Sequence, residues 1–87
     1  MNIEDALRLI QTEYQSAISN YPPFASAHEG YAVLLEEVME LQAEVFKNHK
    51  TRDYTAIKKE SVQVAAMALR MLIDVSPKAN SIEELVR

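Results

Sequence analysis

Four glutamates, Glu36, Glu37, Glu40 and Glu44, stand within nine consecutive residues, and Glu60 follows after a polar interval. Carboxylates three and four positions apart on a helix repel one another, more strongly where water is partly excluded. A divalent cation reverses the sign of that energy. At 100° per residue Glu37, Glu40 and Glu44 fall within an arc of about 60°, and Glu37 borders an apolar stripe of Leu34, Val38, Leu41 and Val45. Glu60 lies inside the stripe of its own helix, with Ile57, Val64, Met67 and Met71. A carboxylate in such a place is neutralised, paired or bound to a metal. Gln63, one turn on, extends the polar line, whereas Asp74 stands about 16 Å further along the axis, too far to share the site. Oxygen ligands from two facing helices suit Mg²⁺ or Mn²⁺, which prefer carboxylate and water to imidazole or thiolate.

Positioning these residues requires helices. Ile3, Ala6, Leu7, Ile10, Tyr14, Ala17 and Ile18 follow the i, i+3, i+4, i+7 pattern, so a helix runs from Ile3 to about Ile18 with Asn2 as its cap. Ser19-Asn20-Tyr21-Pro22-Pro23 ends it, since proline removes a donor and restrains the residue before it. A second helix runs from about Ser26 to Asn48, its apolar stripe formed by Tyr31, Leu34, Leu35, Val38, Leu41 and Val45. The polar run Lys47 to Asp53 closes an antiparallel pair, and Asp53 or Thr55 caps a third helix over Tyr54 to Val75. That helix turns Ile57, Val64, Ala65, Met67, Ala68, Met71, Leu72 and Val75 inward, and Pro77 marks its end. Ser81 and Glu84 have the spacing of a capping box before a last short turn reaching Arg87. From Val62 to Ile73 the third helix is apolar nearly all round, which predicts cover on more than one side, as in a four-helix core completed by homo-oligomerisation.

Composition narrows the classes further. Eighty-seven residues make one domain, residues 1–87, and a chain this short buries only about 60% of its unfolded surface alone. The absence of cysteine removes disulfides, thiolate nucleophiles and zinc–thiolate sites, and a single glycine argues against Gly-rich phosphate loops. All-α is the expected fold class. A net charge of −4 disfavours DNA or RNA, whose binding rests on Lys and Arg contacts to phosphate. No apolar run approaches a membrane span and the N-terminus carries no basic–apolar leader, so a cytoplasmic protein without membrane contact is expected.

Glu36-Glu37-Val38-Met39-Glu40, followed after a loop by Glu60-Ser61-Val62-Gln63, resembles the Glu-Glu-x-x-Glu and Glu-x-x-Asp signature of the MazG-like, all-α nucleoside triphosphate pyrophosphohydrolases. The likeness spans His28 to Asp74, over half the chain. It implies a homodimeric or homotetrameric antiparallel bundle that binds Mg²⁺, with Mn²⁺ as substitute, and cleaves a nucleoside triphosphate to monophosphate and pyrophosphate. The metal ligands it implies are Glu37, Glu40 and Glu60, with Glu36 lining the same site. At the fourth position Gln63 stands where the family has Asp, and an amide is a weaker ligand.

An acidic cluster meets a triphosphate only through cations, which neutralise charge in the transition state and lower the pKa of bound water. Glu36 is the candidate for orienting or deprotonating that water. Lys47, Lys58 and Lys59, with Lys50 and Arg52, are candidate phosphate contacts. His28 and Tyr31, with Tyr14, Tyr21 and Phe24, are candidates to border the base. Two other readings stand beside this one. The first is a nucleotide- or metal-binding relative that Gln63 has deprived of turnover. The second is a structural interaction module in which Glu60 is neutralised by Arg70 or by a lysine of a partner chain.

Overall fold

The computed structural model describes residues 1–75 and 82–86, and these are helical with short connections: α1 (Ile3–Asn20), α2 (Ala27–Val45), α3 (Tyr54–Asp74) and α4 (Ile82–Leu85). The fold among the described residues is all-α, and none of these helices is long and apolar enough to cross a membrane. Side-chain caps start all three long helices where the sequence offers them. Asn2 Oδ1 accepts from the Asp5 N–H at 2.8 Å, Ser26 Oγ from Glu29 at 3.1 Å, and Asp53 Oδ1 from Thr55 and Ala56 at 2.9 and 3.2 Å. The Glu29 carboxylate reaches back to the Ala25 N–H, close to a capping box.

Two helix ends differ from the sequence expectation. α1 continues past Ile18 because the Ser19 hydroxyl and Asn20 amide donate to carbonyls four residues back and keep the last turn wound. α2 stops at Val45, short of Asn48, because Asn48 serves the loop. Its side chain accepts from the Lys50 N–H and its carbonyl from the Thr51 N–H, which turns the chain toward α3. The expected stop at Pro77, the capping-box residue Ser81 and the terminal Arg87 lie outside the described residues.

α3 is the central element: α1 and α2 each pack against it and do not approach one another closely. α2 runs antiparallel to α3, so that Glu37 and Glu40 come level with Glu60, and Gly30 with Met71. α1 runs in the direction of α3, its first half beside Thr55 to Val62 and its second half beside Met67 and Arg70. The buried apolar core is small, comprising Ala17, Phe24, Ala66 and Met67, with Val33, Leu34, Met71 and Val75 packed around it. Gly30 allows close approach there, since a Cβ would stand 3.0 Å from the Phe24 ring and 3.3 Å from Met71 and would press on both.

The inward side of α3 differs from the apolar reading. Ala66 and Arg70 are buried, whereas Ala68 and Leu72 face solvent, as do Ile3, Leu7 and Ile18 of α1 and Tyr31, Leu35 and Val38 of α2. Both neighbours meet α3 along the line of Met67, so the residues in register with it, polar ones included, are covered first.

Arg70, 3% exposed, is the strut of this arrangement. Its Nε donates to Asp74 at 3.0 Å, Nη2 donates to the carbonyls of Tyr21 and Pro22, and the guanidinium lies 4.7 Å from the Phe24 ring centroid. Asp74 also accepts from the Phe24 N–H. One ion pair thus pins the α1–α2 loop to α3. Arg70→Met is expected to cost about 3–5 kcal/mol, because Asp74 then stays buried without its cation. The loss would be read as a lower urea midpoint at unchanged m-value.

Candidate metal centre

The loop Phe46–Asp53 folds α2 back on α3 so that one turn of each helix contributes to a single cluster. Glu37, Glu40 and Glu60 each offer a carboxylate oxygen, and the three oxygens lie within 4.8 Å of one another. Glu37 and Glu60 are half-buried and Glu40 is exposed, so the cluster opens to solvent on the Glu40 side. Oε2 of Glu60 is buried with no hydrogen-bond partner. Among the described residues no lysine, arginine or histidine forms an ion pair with any of the three.

Burial and mutual repulsion disturb the acids. Glu37 is pushed up from its ordinary 4.5 to about 7, first by loss of solvent, then by the Glu40 charge and a hydrogen bond with it, and then by Glu60 and Glu13. Glu60 is raised by desolvation, by Glu40 through charge and hydrogen bonding, and by Glu44. Glu37 and Glu60 therefore take up protons more readily than ordinary carboxylates, and a cation would compete with those protons.

The other acidic residues divide. Glu36 is exposed and lines the cleft between α1 and α2, beside Glu37 and Gln63. Glu44 is occupied by Lys47, whose Nζ lies 3.0 and 2.9 Å from its two carboxylate oxygens. That pair draws Lys47 onto Glu44 and away from the role of a free phosphate contact. Lys58 and Lys59 are exposed on the rim of a groove of about 740 Å³ between α1 and α3, with Gln63 in the wall shared by the groove and the cleft. Arg52 donates to the Lys47 carbonyl at 3.3 Å and belongs to the loop.

His28 and Tyr31 are not brought to the cluster. They stand about 180° and 120° around α2 from Glu37, both are exposed, and neither lines the cleft or the groove. Tyr21 and Phe24 do line the cleft, together with Ser16, Asn20, Arg70 and Glu13. Glu13 was the legible omission. It lies three residues after Ile10 and four before Ala17, on the covered side of α1, and a carboxylate in an inward register is the same signal that marks Glu60. Arg70 and Asp74 have the i,i+4 spacing of a helical ion pair, but nothing local marks them as covered, since their burial depends on the α1–α2 loop.

The chemistry of this donor set is that of a hard divalent cation: three carboxylates from two helices, an open side, and the Gln63 amide one turn beyond Glu60. Compared with protein-family models, curated proteins and solved structures, the chain finds no match in any of the three.

Proposed function

We propose that this protein is a Mg²⁺-dependent nucleoside triphosphate pyrophosphohydrolase of MazG-like type, with Mn²⁺ as an alternative metal, acting on the cytoplasmic nucleotide pool. The observation that carries this reading is the meeting of Glu37, Glu40 and Glu60 with a buried, unpartnered Glu60 oxygen and no ion pair to a cation among the described residues. A purely structural module with Glu60 paired to Arg70 is disfavoured, because Arg70 is committed to Asp74 and the Tyr21 and Pro22 carbonyls.

In this reading Glu37, Glu40 and Glu60 hold the metal, and Gln63 offers an amide oxygen beside them. The metal supplies charge neutralisation along the triphosphate and a Lewis acid for its reacting phosphorus. Glu36, exposed on the same turn, orients the attacking water and takes its proton as the oxygen bonds to the α-phosphorus and the α–β anhydride breaks. Monophosphate and pyrophosphate are the products. Lys58 and Lys59, without ion pairs among the described residues, are available to the departing pyrophosphate. Release of pyrophosphate and monophosphate with Mg²⁺, and of neither in EDTA, would support the assignment. Orthophosphate as the product would refute the bond, and no release from any nucleotide would refute turnover.

Gln63 favours one second reading, a relative that binds nucleotide and metal but turns over slowly. Gln63→Asp distinguishes the two. If the amide is a defect, the fourth carboxylate should raise kcat at least tenfold and tighten Mg²⁺. If the site is adapted to the amide, activity should fall or stay level.

The same proposal includes a homodimer or homotetramer. Among the described residues only four apolar side chains are buried, while Ile3, Leu7, Leu35, Phe46, Leu72 and Ile73 remain exposed across three helices and a loop. Sedimentation equilibrium should therefore give two or four times the chain mass of 9.9 kDa, and a mass of one chain would refute the assembly.

A further inference from the structure

The two ends of the cleft between α1 and α2 differ in chemistry. Glu36 and Glu37 line one end, and Asn20, Tyr21, Phe24 and Arg70 line the other. Its volume of about 590 Å³ is within the range of small-molecule sites. Four contacts fix Arg70: Nε on Asp74, Nη2 on the Tyr21 carbonyl and on the Pro22 carbonyl, and the guanidinium over Phe24. Nη1 has no partner among the described residues, on a side chain that is otherwise buried and lines the cleft. The guanidinium is therefore held in one orientation, with unused donors.

We propose that this end of the cleft is the nucleobase subsite and that Arg70 is its specificity-determining residue, selecting bases that carry an oxo rather than an amino group at purine C6 or pyrimidine C4. The inference rests on the triphosphate reading of the acidic end. Gln63 and Arg70 are seven residues apart on α3, about 10 Å, which separates a base from the phosphates of one nucleotide. A guanidinium donates and never accepts, so it pairs with an oxo group and leaves an exocyclic amino group facing another donor. Because its other contacts tie it to the loop, Arg70 cannot turn away to accommodate the amino base. Discrimination follows from that rigidity.

Two pairs of nucleotides isolate the effect at constant ring size: inosine against adenosine triphosphate, and uridine against cytidine triphosphate. In each pair the oxo member should have the higher kcat/KM by about tenfold or more, carried mainly in KM. Arg70→Lys should narrow the ratio, but the unaltered chain decides the matter, since Arg70 also supports the fold. Hydrolysis without oxo preference would overturn this inference and leave the hydrolase reading intact. No hydrolysis at all would remove the hydrolase reading, and nucleoside binding then decides the subsite. Titrated by NMR, inosine and uridine should shift the amides of Asn20, Tyr21 and Phe24 and the Arg70 Nε–H more than adenosine and cytidine do. Equal shifts, no shifts, or shifts confined to Leu9, Lys59 and Val62 in the α1–α3 groove would overturn it.

Discussion

Glu60→Gln is expected to abolish Mg²⁺-dependent pyrophosphate release and, at the same time, to stabilise the metal-free protein. The two effects share one cause. Glu60 brings a charge into the apolar side of α3, next to Glu37 and Glu40, with one oxygen buried and unpartnered. Glutamine keeps the size and removes the charge, so desolvation and repulsion fall together. Glu37, raised partly by the Glu60 charge, should titrate closer to its ordinary range in the variant. Losing one of three carboxylate ligands should weaken the metal by at least two orders of magnitude and carry kcat/KM down with it. Pyrophosphate release and a urea melt of the metal-free variant check both halves. A variant that is less stable than the parent, or that still hydrolyses with metal, would contradict the assignment of Glu60.

The second large effect is the coupling of Mg²⁺, pH and stability. Glu37 titrates at about 7 in the folded chain and near 4.5 when unfolded, and Glu60 is raised in the same direction. Between those values the folded state binds more protons than the unfolded state, so the stability of the metal-free protein falls as pH rises from about 4.5 to about 7. Above that window the loss is complete, and below it the acids are protonated in both states. Mg²⁺ takes the place of the protons, so its affinity should rise through the same window. At a hundredfold excess over Kd at pH 8, binding to the native state adds about 2.7 kcal/mol. For a domain of this size that corresponds to a rise in Tm of about 10 °C or more. At pH 5 the rise should nearly vanish. Thermal melts with Mg²⁺ and with EDTA at the two pH values check this, and the Glu60→Gln variant should show little Mg²⁺ response at either. A Tm that ignores Mg²⁺ at pH 8 would favour the structural module.

The helix starts and the meeting of three glutamates were legible because both depend on local rules. Asn2, Ser26 and Asp53 are side chains that can accept from the first turn of a helix, and each does so wherever it lands. Glu37 and Glu40 share a face by the 3.6-residue period alone, and a short loop can only return α3 antiparallel to α2, which brings Glu60 level with them. The period could not tell which flank of each helix is covered. Ile3, Leu7 and Leu72 belong to regular apolar patterns and yet face solvent, while Arg70 is charged and yet buried, with Asp74 half-buried beside it. Burial is a property of what lies opposite, and here α1 and α2 both meet α3 along Met67. For the same reason His28 and Tyr31, near the acidic turns in sequence, lie around α2 from them, and Glu13, more than twenty residues away in sequence, reaches Glu37. The helices, their starting caps and the clustering of three carboxylates could be read from residue order alone, because those follow from backbone geometry within a few turns. The cleft, the Arg70 strut and the covered flanks emerge from the packed helices, because they depend on contacts between residues some fifty positions apart, such as Arg70 with Tyr21.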